Sequence, residues 1–462
     1  MTMSIPGRMA TFVAIISVAA IACGPRGGVT DPSASSGPVT GGLATDGLAA
    51  SVAPGQSETP SPELSGTLDV WTLPQGDDEK AIKAYGKAFE TAHPNFKIKL
   101  LVVGEDTYVT KINTALQAKA PPDVAVMEDR TWMAAGKVVK LTDKLKEWGV
   151  DIADFNAGGI GRATPKGTVD SGVYAVGDFV GGNVLVYNKA LFDAAGVPHP
   201  AADKSLTIAE YAEICRKLTK PNADRNKTVY GCSMPSWGPA IQTKDVFGPD
   251  GRTTEGNMNG PAMVAAYETA AGILRDKLAP SDQILEAAAE SDLFAAGRLG
   301  ITWTDFTETP KYVANGVDFG IAPFFVIHDG DNFVETWTAP WGTFTDSKDQ
   351  AIALEFLRFI ATDAQRIRTQ VSVDPPLSAS VATEVGYGKD DPVKAAYLAV
   401  LDAAAKPQVF VPPGVEAFDP GEVLRLLVDE KRTDTKAILD DQAVRSQKEL
   451  DKVWARWDKL GG

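Results

Sequence analysis

Between Thr67 and Met127 the chain alternates strand-like and helix-like runs, and no other feature restricts the possible folds as much. Thr67-Leu68-Asp69-Val70-Trp71-Thr72 reads as a strand. A loop with Pro74 and Gly76 follows, and Asp77 and Asp78 suit a helix N-terminus, by capping and by opposing the macrodipole. Ile82, Tyr85 and Phe89 mark one face of that helix, which should stop at His93-Pro94. Phe96-Lys97-Ile98-Lys99-Leu100-Leu101-Val102-Val103 is a second strand, and residues 108–118 form a second helix with Val109, Ile112 and Leu116 inward. Asp123-Val124-Ala125-Val126-Met127 is a third strand. Strand, helix, strand, helix, strand predicts a parallel sheet covered on both faces, an α/β fold. Ligands of such sheets sit at the carboxyl ends of the strands, here residues 72–78 and Glu128-Asp129-Arg130.

A second unit begins near Tyr174. Val184-Leu185-Val186-Tyr187 is a strand, and residues 189–195 form a short helix ending at Gly196. Thr207 with Glu210 three positions on has the pattern of a capping box for a helix through Leu218. Helices are expected over 263–278 and 285–296, then strands at Leu299-Gly300-Ile301-Thr302-Trp303 and Phe319-Gly320-Ile321-Ala322. Beyond residue 344 the pattern is almost all helical, near 350–360, 363–371, 393–405, 422–428 and 434–460.

The first 22 residues read as an export signal. A short segment with Arg8 precedes an uncharged apolar run, and Ala20-Ile21-Ala22 is a small-residue exit. Ala20-Ile21-Ala22-Cys23 has two readings: a plain A-x-A cleavage site, or a bacterial lipobox whose Cys23 carries lipid, with Ala20 where that motif most often has Leu. Residues 24–64 are dominated by Gly, Pro, Ser, Thr and Ala and cannot bury enough surface to offset the entropy of ordering, so 23–64 reads as a leash behind an anchored cysteine. The globular part is expected to work outside the cytoplasm, tethered at the periplasmic or outer face of a membrane.

Setting signal and leash aside leaves roughly 400 residues, comfortable for two domains. With 45 basic against 60 acidic residues the formal charge is −15, which disfavours nucleic-acid partners. No later run approaches the ~18–20 apolar residues of a membrane span. If Cys23 is lipidated, Cys215 and Cys232 form an even pair in an oxidising compartment, and a disulfide between them is expected; the alternative is two buried thiols. His93, His199 and His328 are widely scattered, and no Walker A, G-x-S-x-G or complete G-x-G-x-x-G run occurs, so neither a metal nor a cofactor is expected.

Several segments, in order, resemble the extracellular solute-binding proteins that feed ABC importers, family 1, the large sugar-binding (maltose-binding-protein-like) group. Leu68-Asp69-Val70-Trp71-Thr72 is similar to the first strand, and Ala88-Phe89-Glu90-Thr91-Ala92-His93-Pro94 to the end of the first helix. Pro122-Asp123-Val124 resembles the "PDV" strand, followed by Asp129-Arg130 and Gly136-Lys137-Val138-Val139-Lys140-Leu141-Thr142. Val184-Leu185-Val186-Tyr187-Asn188-Lys189-Ala190-Leu191-Phe192 resembles the "YNK-x-LF" joint, with Ala195-Gly196-Val197-Pro198 after it. Phe294-Ala295-Ala296-Gly297-Arg298-Leu299-Gly300-Ile301 and Ser347-Lys348 through Glu355-Phe356-Leu357-Arg358-Phe359-Ile360 complete the series. Departures are Gly177, where the family often has Pro, Gly300 in place of a common Ala, and the cysteine pair.

The resemblance implies a type II periplasmic-binding-protein-like fold: two lobes, each a mixed sheet flanked by helices, joined by an interlobe hinge. Carried over, lobe one comprises 65–176 with 298–335, lobe two 178–297 with 345–462, and the hinge falls near 176–178, 297–298 and 336–344. It also implies a non-catalytic monomer that binds a carbohydrate in the cleft and delivers it to the transmembrane subunits of an ABC permease. A sugar site needs carboxylates and amides for hydroxyls and flat aromatics for C–H faces. The strand-end loops offer Gln75, Asp77, Asp78, Glu128, Asp129, Arg130, Asp178, Asn183, Trp237, Trp303, Asp305, Trp337 and Trp341. Asp129-Arg130 matches the family's sugar-contacting pair; in the plainer reading Arg130 is a salt-bridge partner of Asp129 and the aspartates at 77 and 78 only cap. Two rivals stand beside this: a secreted glycoside hydrolase using Glu128 with Asp129 or Asp305 with Glu308, and a receptor of the same fold for a polyamine.

Overall fold

Strand β1 (Gly66–Thr72) buries Leu68, Val70 and Thr72 and leaves the intervening residues more exposed, the period of two that one covered face imposes. The computed structural model containing it describes residues 65–74, 77–156, 160–162 and 172–460, without the side chains of Asp78 and of Ile160–Arg162. The export signal, Cys23, the leash and Gln75 lie outside the described residues.

The helices Asp78–Ala92 and Glu105–Gln117 are the crossovers that let β2 (Phe96–Val102) and β3 (Val124–Val126) lie parallel to β1 on either side. The strands β4 (Ile160–Arg162) and β5 (Val173–Val176) are antiparallel to one another, and β6 (Gly181–Gly182) leads to β7 (Val184–Asn188). Next come β8 (Tyr230–Cys232), β9 (Leu299–Thr304), β10 (Phe319–Pro323), β11 (Thr336–Trp337) and β12 (Trp341–Gly342). They form a six-stranded sheet in the order β2-β1-β3-β12-β5-β4, a four-stranded sheet β10-β7-β9-β8 and a two-stranded ribbon β11-β6. The fold is α/β with two mixed sheets, each flanked by helices.

Local chemistry explains most boundaries. Asn188 accepts a hydrogen bond from the Leu191 N–H at the start of Lys189–Ala195, and Gly196 closes that helix at φ +61°, in the left-handed region glycine tolerates. Thr207 and Glu210 form the reciprocal capping box of Ile208–Leu218. Cys215 on that helix is bridged to Cys232 on β8 with Cα atoms 5.0 Å apart, both buried. Helix and strand approach so closely there that a β-carbon on Gly231 would lie 1.8 Å from the Cys215 carbonyl oxygen. The run expected as one helix over 285–296 is instead two pieces, Asp282–Leu285 and Glu290–Ala295, separated where Ala289 takes an extended conformation (φ −60°, ψ 157°) and starts the second piece afresh. The helix Gln350–Phe359 passes through a π turn, Ile360–Ala364, into Gln365–Arg368.

Two expected domain limits are corrected by strand pairing. The segment 298–335 does not complete the first sheet: β9 pairs with β7 from Val184 opposite Thr304 to Tyr187 opposite Ile301, and β10 covers the other edge of β7. The turn at Gly297 (φ +67°) is a helix-to-strand connection inside the second sheet's layer rather than a crossing. Conversely, Ile352, Ala353, Phe356 and Leu357 pack with Leu68 and Val70 in the first core, so residues 350–368 cover the first sheet. Crossings occur at 177–180 and 338–340. A third link is the helix Thr435–Leu460: Ile438, Leu439 and Leu450 pack in the second core and Trp457 in the first. Among the described residues no helix is long and apolar enough to cross a membrane.

Candidate functional site

The crossing strands orient the two sheets. β5 leaves the first sheet at Val176, reaches the ribbon at Gly181 and enters the second sheet at Val184, opposite Thr304 and Pro323. The edge of the first sheet carrying the ends of β1, β3 and β5 therefore faces the edge of the second carrying the ends of β8, β9 and β10, the location at which open α/β sheets hold ligands.

On the first edge, the Tyr108 hydroxyl lies 3.1 Å from the Trp71 carbonyl and 3.0 Å from that of Val126, sharing its proton between β1 and β3. Glu128 follows β3 and its charge adds to the burial that pushes the Tyr108 phenol up. Asp129 accepts from the Thr131 N–H at 2.8 Å and so caps Arg130–Ala134. The Trp132 indole pins that helix by donating to Asn113 at 2.8 Å. Arg130 is not paired with Asp129. Its guanidinium lies 5.4 Å over the Phe410 ring, and among the described residues it has no hydrogen bond or ion pair. Burial pushes its pKa down to about 10, which leaves it a cation at neutral pH. Asp77 stands at the start of Asp78–Ala92 and makes no capping hydrogen bond.

On the second edge, Trp237 stacks on Phe324 at 5.2 Å and meets Trp303 edge-to-face at 5.1 Å. Just beyond β9, Asp305 accepts from the Thr307 N–H (3.1 Å) and hydroxyl (2.6 Å). Phe306 holds φ +77°, a costly conformation for a bulky residue, fixed by the stacking of its buried ring on Tyr397 at 3.9 Å. Glu290 opens the short helix that feeds β9, so it lies level with that strand's far end. Burial pushes its pKa up to about 7, while the Trp303 indole favours its charged form.

The ribbon carries a polar chain between them. Asn183 donates to Glu335 Oε2 at 3.2 Å, and Gln408 donates to Glu335 Oε1 at 3.2 Å and to the Ile241 carbonyl at 2.7 Å. Gln408 in turn accepts from the Thr243 N–H and hydroxyl at 2.9 and 2.8 Å. Burial raises the Glu335 pKa, opposed by those two amides. Trp337 on β11 lays its indole against Gly181.

Two expected site residues are elsewhere. Asp178 is fully buried and accepts from Arg368 at 3.2 Å, while Arg368 also donates to Asp374 at 2.9 Å. It is a packing element of the crossing, beyond reach of a ligand. Trp341, 1% exposed, lies mid-sheet between β3 and β5 and belongs to the first core. Glu290, Glu335, Gln408, Phe324 and Phe410 were not singled out in the sequence. Glu335 directly precedes Thr336-Trp337, so a polar residue beside a crossing was the available signal; Gln408 and Glu290 carried none.

The family model described as bacterial extracellular solute-binding protein matches residues 74–367. The diacetylchitobiose binding protein DasA of Streptomyces coelicolor is 24% identical over 317 residues, 64% of this chain and 69% of that one. Among solved structures, the ABC substrate-binding protein Lmo0181 from Listeria monocytogenes, in complex with cycloalternan, aligns with TM-score 0.63 at 20% identity over 85% of this chain and 99% of that one. The GacH receptor of Streptomyces glaucescens, solved unliganded and with acarbose, aligns with TM-score 0.64 at 19% identity over 85% and 99%. These likenesses show the two-lobe fold. The family match spans more than half of the chain, which therefore belongs to the bacterial extracellular solute-binding proteins, a family that works outside the cytoplasm.

Proposed function

We propose that this chain captures a carbohydrate between the facing sheet edges and delivers it to an ABC permease, held at the membrane by lipid on Cys23 and catalysing no reaction. The observation that carries the reading is the Trp237–Trp303–Phe324 cluster on one facing edge together with the amide and carboxylate chain Asn183–Glu335–Gln408 beside the ribbon. A sugar presents C–H faces to flat rings and hydroxyls to carboxylates and amides, and the edge and the ribbon together supply both. The ligands in the relatives' names and titles (diacetylchitobiose, cycloalternan, acarbose) support the same class. The hydrolase pairing of Asp305 with Glu308 loses support, since Asp305 is held by Thr307 and Glu308 lies 3.9 Å from Lys311. Closure of the lobes follows only if ligand binds the closed form better.

Calorimetric titration with maltotriose, mannotriose and diacetylchitobiose tests the reading. Micromolar binding, about −8 kcal/mol, is expected for at least one, and no heat from any carbohydrate would refute it. Mass spectrometry of the native N-terminus tests the lipid on Cys23.

A further inference from the structure

We infer that the Cys215–Cys232 disulfide is a positioning element of the aromatic wall: it fixes the segment that carries Trp237, so that breaking it weakens carbohydrate capture in a protein that stays folded. This rests on the carbohydrate reading above and adds to it what holds the wall in place.

The strand that carries Cys232 is short. β8 has three residues and lies at the edge of the second sheet, with Tyr230 opposite Leu299 and Cys232 opposite Ile301 on β9. At its middle, the Gly231 N–H is shared between the Leu278 carbonyl at 2.9 Å and the Thr219 hydroxyl at 3.0 Å. Edge strands this short open at low cost unless something else fastens them.

Two departures in the sequence, Gly300 and the cysteine pair, meet at this point. Gly300 lies on β9 between the two residues that pair with β8. A β-carbon there would lie 2.6 Å from the Gly231 carbonyl oxygen and 2.7 Å from a methyl of Leu218, pressing on both strand and helix. One on Gly231 would lie 1.8 Å from the Cys215 carbonyl oxygen. The two glycines therefore admit the helix Ile208–Leu218 at backbone distance, and a disulfide with Cα atoms 5.0 Å apart requires that approach. The glycines and the cysteines are one arrangement.

From the fastened strand the chain runs through Ser233-Met234-Pro235-Ser236 to Trp237. The Ser233 N–H donates to the Ile301 carbonyl at 3.1 Å, and its hydroxyl pairs with that of Thr302 at 2.9 Å. Its carbonyl accepts from Tyr211 at 2.8 Å. Tyr211 stands one turn before Cys215, so hydrogen bond and disulfide tie the same helix face to adjoining residues.

The start of that helix holds the other ring of the stack. The Ile208 N–H donates to the Val326 carbonyl at 2.8 Å, the Val326 N–H donates to the Leu206 carbonyl at 2.9 Å, and the Tyr211 ring lies 4.7 Å from that of Phe325. Phe325 follows Phe324, on which Trp237 stacks, and it abuts Gly238, where a β-carbon would lie 2.7 Å from its ring. One helix thus fastens both segments that supply the stacked pair, and the disulfide is the covalent member of that frame.

Both cysteines are buried, so they act through Trp237 and not on a ligand. A ring whose segment is free to shift must be ordered when the sugar binds, which costs about two- to tenfold in affinity.

The test compares the full-length wild type, Cys215→Ala/Cys232→Ala, Tyr211→Phe and Gly300→Ala, all below their unfolding transitions. Amide hydrogen exchange reads the 233–238 segment without ligand. Calorimetric titration uses whichever of maltotriose, mannotriose and diacetylchitobiose binds the wild type. In the double cysteine variant 233–238 should exchange about tenfold or more faster, while the first sheet exchanges as in wild type. That variant should bind about two- to tenfold more weakly. Tyr211→Phe and Gly300→Ala, which keep both cysteines, should move both readouts the same way by less. A double variant that is merely less stable, with wild-type affinity and exchange raised uniformly or not at all, overturns the inference and leaves the carbohydrate reading intact. Should it not fold, wild-type affinity and local exchange in both single variants overturn it. No binding of any probe by the wild type overturns both.

Discussion

Gly177 and Thr338 lie in the two crossing segments and pack so closely that a β-carbon on Gly177 would sit 2.0 Å from the Thr338 hydroxyl oxygen and 2.7 Å from its methyl. Thr338 is itself buried, and among the described residues its hydroxyl has no hydrogen-bond partner. Two crossing segments are thus held at backbone distance by the absence of one side chain. Gly177→Ala should cost about 1–3 kcal/mol of stability, the usual size of an overpacking strain. Thr338→Ala should recover part of it in the double variant, since it removes the two nearest atoms. Urea unfolding of the four species measures the coupling; additive losses would show that the contact is relieved elsewhere.

Arg368, 2% exposed, is shared by Asp178 and Asp374 beneath the same crossing. Its guanidinium also lies 3.7 Å over the Phe179 ring. Replacing it by methionine strands two buried carboxylates, an arrangement that typically costs about 3–5 kcal/mol. Asp178→Asn retains an acceptor for Arg368 and should cost less, with ligand affinity unchanged because the group faces no ligand. A large affinity loss in Asp178→Asn at intact stability would return that residue to the binding site.

Glu290 makes stability depend on pH. Its folded pKa of about 7 lies above its ordinary value near 4.5, so the folded state holds the proton more tightly and stability falls as pH rises between those values. The shift corresponds to at most about 3 kcal/mol, and the group's partial exposure lowers this to roughly 1–2 kcal/mol. Glu290→Gln should therefore be more stable than wild type at pH 8 and indistinguishable from it at pH 4. Guanidinium unfolding at the two pH values distinguishes this from a uniform effect.

Which parts of the molecule could be read in the sequence follows from the range of the interactions that determine them. The strand β1, the capping box at Thr207 and the stop at Gly196 depend on residues within four positions, and each stands where the sequence put it. The partners of β9 do not: Thr304 pairs with Val184 across more than a hundred residues, and nothing local in Leu299–Thr304 selects that neighbour. Trp337 and Trp341 show the same limit at close quarters. Both are tryptophans near a proline, yet one borders the ribbon and the other fills the middle of a sheet, because the chain changes partners between them. Asp178 looked like a cleft carboxylate until its counterion, 190 positions away, was placed. Acidic and aromatic residues at strand ends marked the site's chemistry. Their assignment to ligand or to packing required tertiary partners.

Arg130 separates those two roles most sharply. A buried cation held by protein carboxylates destabilises the fold when removed, but among the described residues this one has only the Phe410 ring, and burial already disfavours its charge. Its desolvation is therefore a cost to the unliganded protein that a ligand bringing oxygen acceptors would offset. Arg130→Met keeps the aliphatic stem over Phe410 while deleting the charge. It should leave unfolding free energy unchanged or raise it by up to about 1 kcal/mol, and should weaken carbohydrate binding by about tenfold or more, the value of one charge-assisted hydrogen bond. Thermal unfolding and calorimetric titration of the same preparation measure both. A variant that lost stability and kept full affinity would make Arg130 a structural residue and remove it from the site.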